Sequence, residues 1–429
     1  MSKSKLVKVA LVFSLITLVF LKPSTLFARE TTFNRSVTIS QTLAAGIDNN
    51  NSDLIRFSLR PTLDAKMPSG WRAKAVLRLE RSDGDTGLGT LDTFDSISKP
   101  WDINAHTHLE LERATLSWRK RSTRITLGKQ TLAWGVLDGL QVTDRFDATR
   151  KREAVFIDQR PDRIARWGAR AQFKSSNIRW DIGLLLDGTG DQLATIGSTY
   201  AVRAARFRAG LDSGQTLPAI SIHPSNEATF GIRGNYRWGK SDMSLLMIQG
   251  PDPEPVYSLN ENGIDVRFEA RTLLGLTWQH PHGPRVWRLE VASIHNQPIN
   301  TQQNGLTIVD RNRWLAGVGL DWDLPKNTFL NIQIGLDDIS GEQLFRTNRD
   351  VISTIKIQRG VWNNTLKLST EFIGSLREND GTVRPAIGWH ASDSLYLQAG
   401  VDIVWGNMNE TFGQFNETDR VWLRAAWEL

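Results

Sequence analysis

Apolar and polar residues alternate with a period of two along most of the chain, and no segment follows the helical period with comparable strength. Ile55, Phe57, Leu59, Leu63 and Ala65 alternate with Arg56, Ser58, Arg60, Thr62 and Asp64. Trp71, Ala73, Ala75, Leu77 and Leu79 alternate with Arg72, Lys74, Arg78 and Glu80. Trp167, Ala169, Ala171 and Phe173 alternate with Arg166, Gly168, Arg170 and Gln172, and Phe230, Ile232, Tyr236 and Trp238 with Arg233, Asn235 and Arg237. The pattern returns at Trp314–Trp322, Leu330–Leu336, Leu395–Ile403 and Val421–Leu429. Successive side chains of a strand point to opposite faces, so each segment presents one apolar and one charged face. The two faces of such a sheet meet different media.

The connections alternate in length. Short ones at Lys66–Gly70, Arg119–Ser122, Ser175–Asn177, Gly239–Asp242, His280–Pro284, Leu324–Asn327, Arg359–Val361 and Ala391–Ser394 are rich in turn-forming residues. Between them lie longer polar stretches, notably Ser82–Thr107, Leu132–Asp162, Gly188–Glu227, Gly250–Asp265 and Gln297–Asp310. Ten of the 16 Trp (71, 118, 180, 238, 278, 287, 322, 362, 389 and 427) lie near a short connection or the C-terminus, and Trp167, Trp314, Trp405 and Trp422 lie near the long ones. Aromatic residues collect where strands cross a membrane interface. A soluble sandwich or β-helix leaves both the loop alternation and the Trp band unexplained. The expected fold class is all-β: a single closed antiparallel transmembrane β-barrel of about 18 strands, 16 being the alternative. Short periplasmic turns, long extracellular loops and both termini on the short-turn side complete the expectation.

Lys3, Lys5 and Lys8 precede the apolar run Val9 to Leu21, and Leu26-Phe27-Ala28 follows. This order marks residues 1–28 as a signal peptide and leaves 29–429 as the barrel. The formal charge of +6 is largely the leader's, because Lys3, Lys5, Lys8 and Lys22 leave with it. A near-neutral mature chain is a poor nucleic-acid binder. With 0 Cys and 7 His, a disulfide framework, a thiolate metal site and a zinc enzyme are disfavoured, and no metal or other cofactor is expected. No GxSxG element marks a nucleophile, so no catalytic residue is assigned and the chain is not read as an enzyme. The stretch GNYRWGKS, Gly234 to Ser241, matches the phosphate-loop pattern. Its context is an alternating strand with bulky Tyr236, Arg237 and Trp238, followed by another alternating strand where a nucleotide site needs a helix. Nucleotide is therefore not an expected ligand.

If the apolar faces meet lipid, the charged faces line a water-filled lumen. Inward positions then include Arg56, Arg60, Arg72, Arg78, Arg113, Arg124, Arg166, Arg170, Arg179, Arg233 and Arg237. Guanidinium rows bind carboxylate or phosphate in a fixed geometry, and a charged pore wall selects ions of opposite sign. The bland alternative is that these arginines pair with acids of an infolded loop and fill the lumen. Leu132–Asp162 is the candidate segment, with Asp138, Asp144 and Asp147 among many apolar residues, and a constriction inside the barrel or a covering lid accounts for that composition.

The run ELERATLSWRKRSTRITLGKQTLAWG, Glu110 to Gly135, with the DGLQVTDRFD that soon follows, resembles a recurring element of outer-membrane barrels of the alginate-export type. In these, a strand ending in Gly-Arg/Lys-Gln leads after a few residues to Trp-Gly, here Gly128, Lys129, Gln130, Trp134 and Gly135. The resemblance implies a porin-like barrel in the cell outer membrane whose basic lumen passes an anionic polysaccharide. Expected partners are outer-membrane lipid, an anionic small molecule or polysaccharide, and the barrel-assembly machinery through the C-terminal strand. A plugged, non-conducting barrel with a structural or adhesive surface-loop role is the second reading.

Overall fold

A sheet that must satisfy its backbone in hydrocarbon has to close on itself, because an open edge leaves unpaired N–H and C=O groups. The structure, a computed structural model, describes residues 31–47, 53–84, 88–153, 162–195, 198–201, 219–301, 306–341, 344 and 347–429. The expected leader lies outside the described residues. The large sheet has 19 strands, of which Trp101–Asn104 pairs only with the start of one neighbour, and the other 18 form a closed antiparallel barrel. The first nine are β1 Thr32–Gly46, β2 Leu54–Lys66, β3 Trp71–Gly84, β4 Thr107–Lys120, β5 Thr123–Gln130, β6 Arg166–Ser175, β7 Ile178–Leu185, β8 Thr229–Trp238 and β9 Ser241–Pro251. The rest are β10 Ala270–His282, β11 Arg285–Thr301, β12 Thr307–Leu324, β13 Thr328–Ile339, β14 Arg349–Val361, β15 Leu366–Ser375, β16 Asp380–His390, β17 Leu395–Trp405 and β18 Arg420–Glu428. Closure runs between β1 and β18, from Thr38 opposite Glu428 to Gly46 opposite Arg420.

The exterior is apolar and bare. Leu245, Ile332, Ile355 and Leu423 are exposed along mid-strand and Leu184 and Phe230 nearer the long loops, while Trp71, Trp238, Trp287, Trp362, Trp389 and Trp427 are exposed at the short-turn rim. This is the surface of a membrane-spanning barrel. Trp422 differs from its expected place near the interface. It is buried, and its indole donates to Asp402 Oδ1 at 2.9 Å, because it falls on the inward parity of β18.

Two expected connections shift, and the turn at Gly239 falls where expected. The turn expected at Arg359–Val361 begins after Val361, which still pairs with Leu366, and Trp362, Asn363 and Asn364 take left-handed φ of 49°, 54° and 64°. Asn tolerates that conformation, which is why the turn settles there. Much of Gln297–Asp310 is ladder, since a bulge between Ile294 and Gln297 lets β11 and β12 stay paired as far as Thr301 and Thr307. The phosphate-loop match lies between β7 and β9 and turns at Gly239, whose φ is 59°, straight into the next strand.

The segment after β5 folds into the barrel. Leu132, Trp134, Leu137, Leu140, Val142 and Phe146 form one buried cluster with Leu185, Leu246, Ile248, Leu273, Ala292, Ile294 and Leu315, which project inward from β7 and β9–β12. Glycines make the room. A Cβ on Gly183 would sit 2.3 Å from Leu132, on Gly231 2.3 Å from Phe146, on Gly317 2.6 Å from Leu137 and on Gly335 2.8 Å from Leu140. The wall also satisfies the segment's backbone. Glu290 on β11 is fully buried, and one carboxylate oxygen accepts the amides of Val136 and, at 2.7 Å, Leu137. Its other oxygen accepts the Thr143 amide at 2.8 Å and hydroxyl at 2.7 Å, so one side chain joins the two limbs of the segment. Arg288 donates to the Val136 carbonyl at 2.6 Å and Arg271 to that of Arg145 at 2.7 Å.

Two outcomes follow from this packing. Leu245→Arg or Ile332→Arg, at mid-strand, should cost about 2–4 kcal/mol, whereas Trp238→Arg at the rim should cost about 0–1 kcal/mol besides its lost anchoring. Urea titration in lipid vesicles measures both, and equal costs at the two depths contradict the lipid-facing assignment. Glu290→Ala strands three buried amides at about 1–3 kcal/mol each and should release the segment. Limited proteolysis should then cut within 132–146 of the variant and not of the parent; equal resistance contradicts the anchor.

Candidate functional site

The inward charges are paired to different extents. In the half of the lumen nearer the long loops, arginines pair with acids. Arg56 and Arg420 reach the two oxygens of Glu153 at 2.7 and 2.6 Å. Arg78 meets Glu80 at 2.9 Å, and Arg152 binds the same carboxylate. Arg150 bridges Glu110 at 2.6 Å and Asp162 at 3.0 Å. These pairs tie the returning limb of the segment to β2, β3, β4 and β18. Burial opposes charge on Glu153, yet Arg420 and Arg56 hold its carboxyl below the ordinary range.

Other expected lumen residues also have structural partners. Arg166 is buried and donates to the Phe146 carbonyl and, at 3.2 Å, to Thr229 Oγ1. Arg170 and Arg233 share Asp181, at 2.8 and 3.1 Å, and Arg233 also lies over the Trp134 ring at 5.5 Å. Arg60 pairs with Glu112 at 3.1 Å, Arg72 with Asp64 at 2.7 Å and Arg237 with Asp242 at 2.9 Å.

Nearer the short turns some cations are paired, as Arg72 and Arg237 are, and others are not. Among the described residues, no carboxylate ion-pairs with Lys74, Arg113, Arg119, Arg124, Lys174, Arg179, Lys367 or Arg424. Arg113 donates to Thr131 Oγ1 at 3.2 Å, where the infolded segment begins, and Arg124 contacts Ser117 Oγ at 3.5 Å. Arg119 lies directly opposite Arg124 across β4 and β5, and Lys174 directly opposite Arg179 across β6 and β7. Like charges in opposite positions destabilise a sheet.

The three aspartates of the segment are placed differently. Asp138 is exposed. Asp144 accepts the Trp134 amide at 3.2 Å and Asp147 accepts the Leu132 amide at 2.6 Å, so both staple one limb to the other beside Arg163. Burial pushes the Asp147 carboxyl up to about 7, against the pull of Arg166 and the Leu132 amide. Sequence reasoning missed Glu290, Arg271 and Arg288 as anchors. A signal existed: β9 and β10 are apolar on both faces at Leu245–Ile248 and Leu273–Leu276, so their inner face must be covered.

No family model and no curated protein matches the chain. Among solved structures it is similar to OccK2 (OpdF) of Pseudomonas aeruginosa in complex with glucuronate, at 10% identity over 92% of this chain and 98% of that one, with a TM-score of 0.52. It is also similar to OccAB2 of Acinetobacter baumannii, at 11% identity over 95% and 99% with a TM-score of 0.54, and to OccAB1 of the same organism, at 9% over 94% and 97% with a TM-score of 0.54. The architecture is that of a porin-like outer-membrane barrel.

Proposed function

We propose that the protein is an outer-membrane diffusion channel that passes small anionic solutes, carboxylates foremost. The carrying observation is two pairs of opposed cations on the inward face, Arg119 with Arg124 and Lys174 with Arg179, which ion-pair with no carboxylate among the described residues. Inside a low-dielectric wall such charges raise the local concentration of anions. The infolded segment narrows the lumen above them, and Arg113 stands where it begins. A glucuronate complex of a barrel of the same fold agrees with a carboxylate as the solute. An extended anionic polysaccharide offers the same groups in series and is the second solute of this reading, in line with the alginate-export resemblance. The plugged reading draws on the buried cluster inside the lumen. It predicts no conductance.

The test is planar-bilayer recording. The parent channel should show a reversal potential of anion preference under a salt gradient, and glucuronate should reduce its chloride current. Replacing Arg113, Arg124 and Arg179 with Glu should move the preference to cations, most strongly at low salt, where the Debye length exceeds about 10 Å. Unchanged selectivity in a variant that still shows heat-modifiable migration contradicts the assignment.

A further inference from the structure

Outside the barrel, a furrow crosses six strands on the lipid-facing side. Its floor is one row of outward residues, mostly without long side chains: Ile357 opposite Thr370, Thr370 opposite Pro385, then Val401 opposite Val421 and Val421 opposite Ala45. Pro385 breaks the ladder between β16 and β17, where pairing stops at Val383–Ile403 and resumes at Ala386–Gly400. A proline in mid-strand gives up a ladder bond, which only a local feature of the wall compensates. The hollow has a volume of about 870 Å³ and almost entirely apolar walls. At strand spacings of roughly 4.8 Å, the five steps across six strands make a furrow on the order of 24 Å long, running obliquely around the barrel.

The row below it ends at Arg359, exposed, on outward parity and beside the short-turn rim. Arg359 lies opposite Thr328, and the neighbouring turn touches it through the Gly360 amide, which donates to Asn327 at 3.0 Å. Lys326 in that turn is exposed as well. Neither cation ion-pairs with a carboxylate among the described residues. Trp362 and Trp389, both exposed, mark the headgroup level on the same side. An apolar furrow that opens onto two free cations at the interface complements an anionic amphiphile. We propose that the furrow holds an acyl chain of a glycerophospholipid whose phosphate is bound by Arg359 and Lys326.

Native mass spectrometry of the detergent-purified chain, after incubation with phosphatidylglycerol vesicles and detergent exchange, tests this. The parent should retain one phospholipid per chain. Arg359→Glu combined with Lys326→Glu should lower retention by roughly tenfold or more. Val401→Phe, which fills the furrow and leaves the exterior apolar, should do the same, with heat-modifiable migration confirming that each variant is folded. Equal retention in all three overturns the proposal. So does a multimer of the parent that Val401→Phe alone dissociates, since the furrow then belongs to a second copy.

Discussion

Closure of the sheet between β1 and β18 is the constraint from which the other features descend. Hydrocarbon offers no partner to a backbone amide, so strand must pair with strand all the way round. Once the sheet is closed, the alternation that a strand imposes divides the chain's residues into lipid-facing and lumen-facing sets. A barrel of 18 strands is too wide for its own inward side chains to fill. What enters the lumen therefore decides what the barrel can do.

Here the entrant is the segment after β5, and its docking follows globular rules in an unusual place. Leucines and aromatics pack against inward Leu246, Ile248, Leu273 and Ile294, and glycines on facing strands accept them. Glu290, Arg288 and Arg271 take up backbone groups that would otherwise be buried unpaired. The arginines then fall into two populations. Those at the level of the returning limb hold it through carboxylates and carbonyls. Nearer the short turns, Arg72 and Arg237 hold an acid of their own hairpin, whereas Arg119 faces Arg124 and Lys174 faces Arg179 across strands.

The barrel was legible because period-two alternation and turn chemistry are local properties. Strand parity placed Arg113, Arg124 and Arg179 on the inward face, and the apolar content of Leu132–Asp162 showed that it packs against something. The partners of each charge were not legible. Whether Arg166 lines a path or holds the Phe146 carbonyl depends on the course of a segment whose contacts lie far away in sequence. Trp422 was placed by nearness to a loop when parity decided its direction. The register of β11 with β12 was hidden by a bulge, which shifts the pairing without altering the composition.

Lodging of the segment on the β7–β14 wall, leaving solute a path past it, is the central claim. A Cβ on Gly139 would lie 3.2 Å from that of Thr354, slightly inside the roughly 3.5–4.5 Å of a disulfide, and the chain has 0 Cys to interfere. Conductance of the Gly139→Cys, Thr354→Cys variant before and after oxidation tests the claim most directly. The account predicts that the bond forms under mild oxidation and that the oxidised channel conducts as the parent does, with the same ion preference. Failure of the bond to form, or current that disappears on oxidation and returns on reduction, would contradict it.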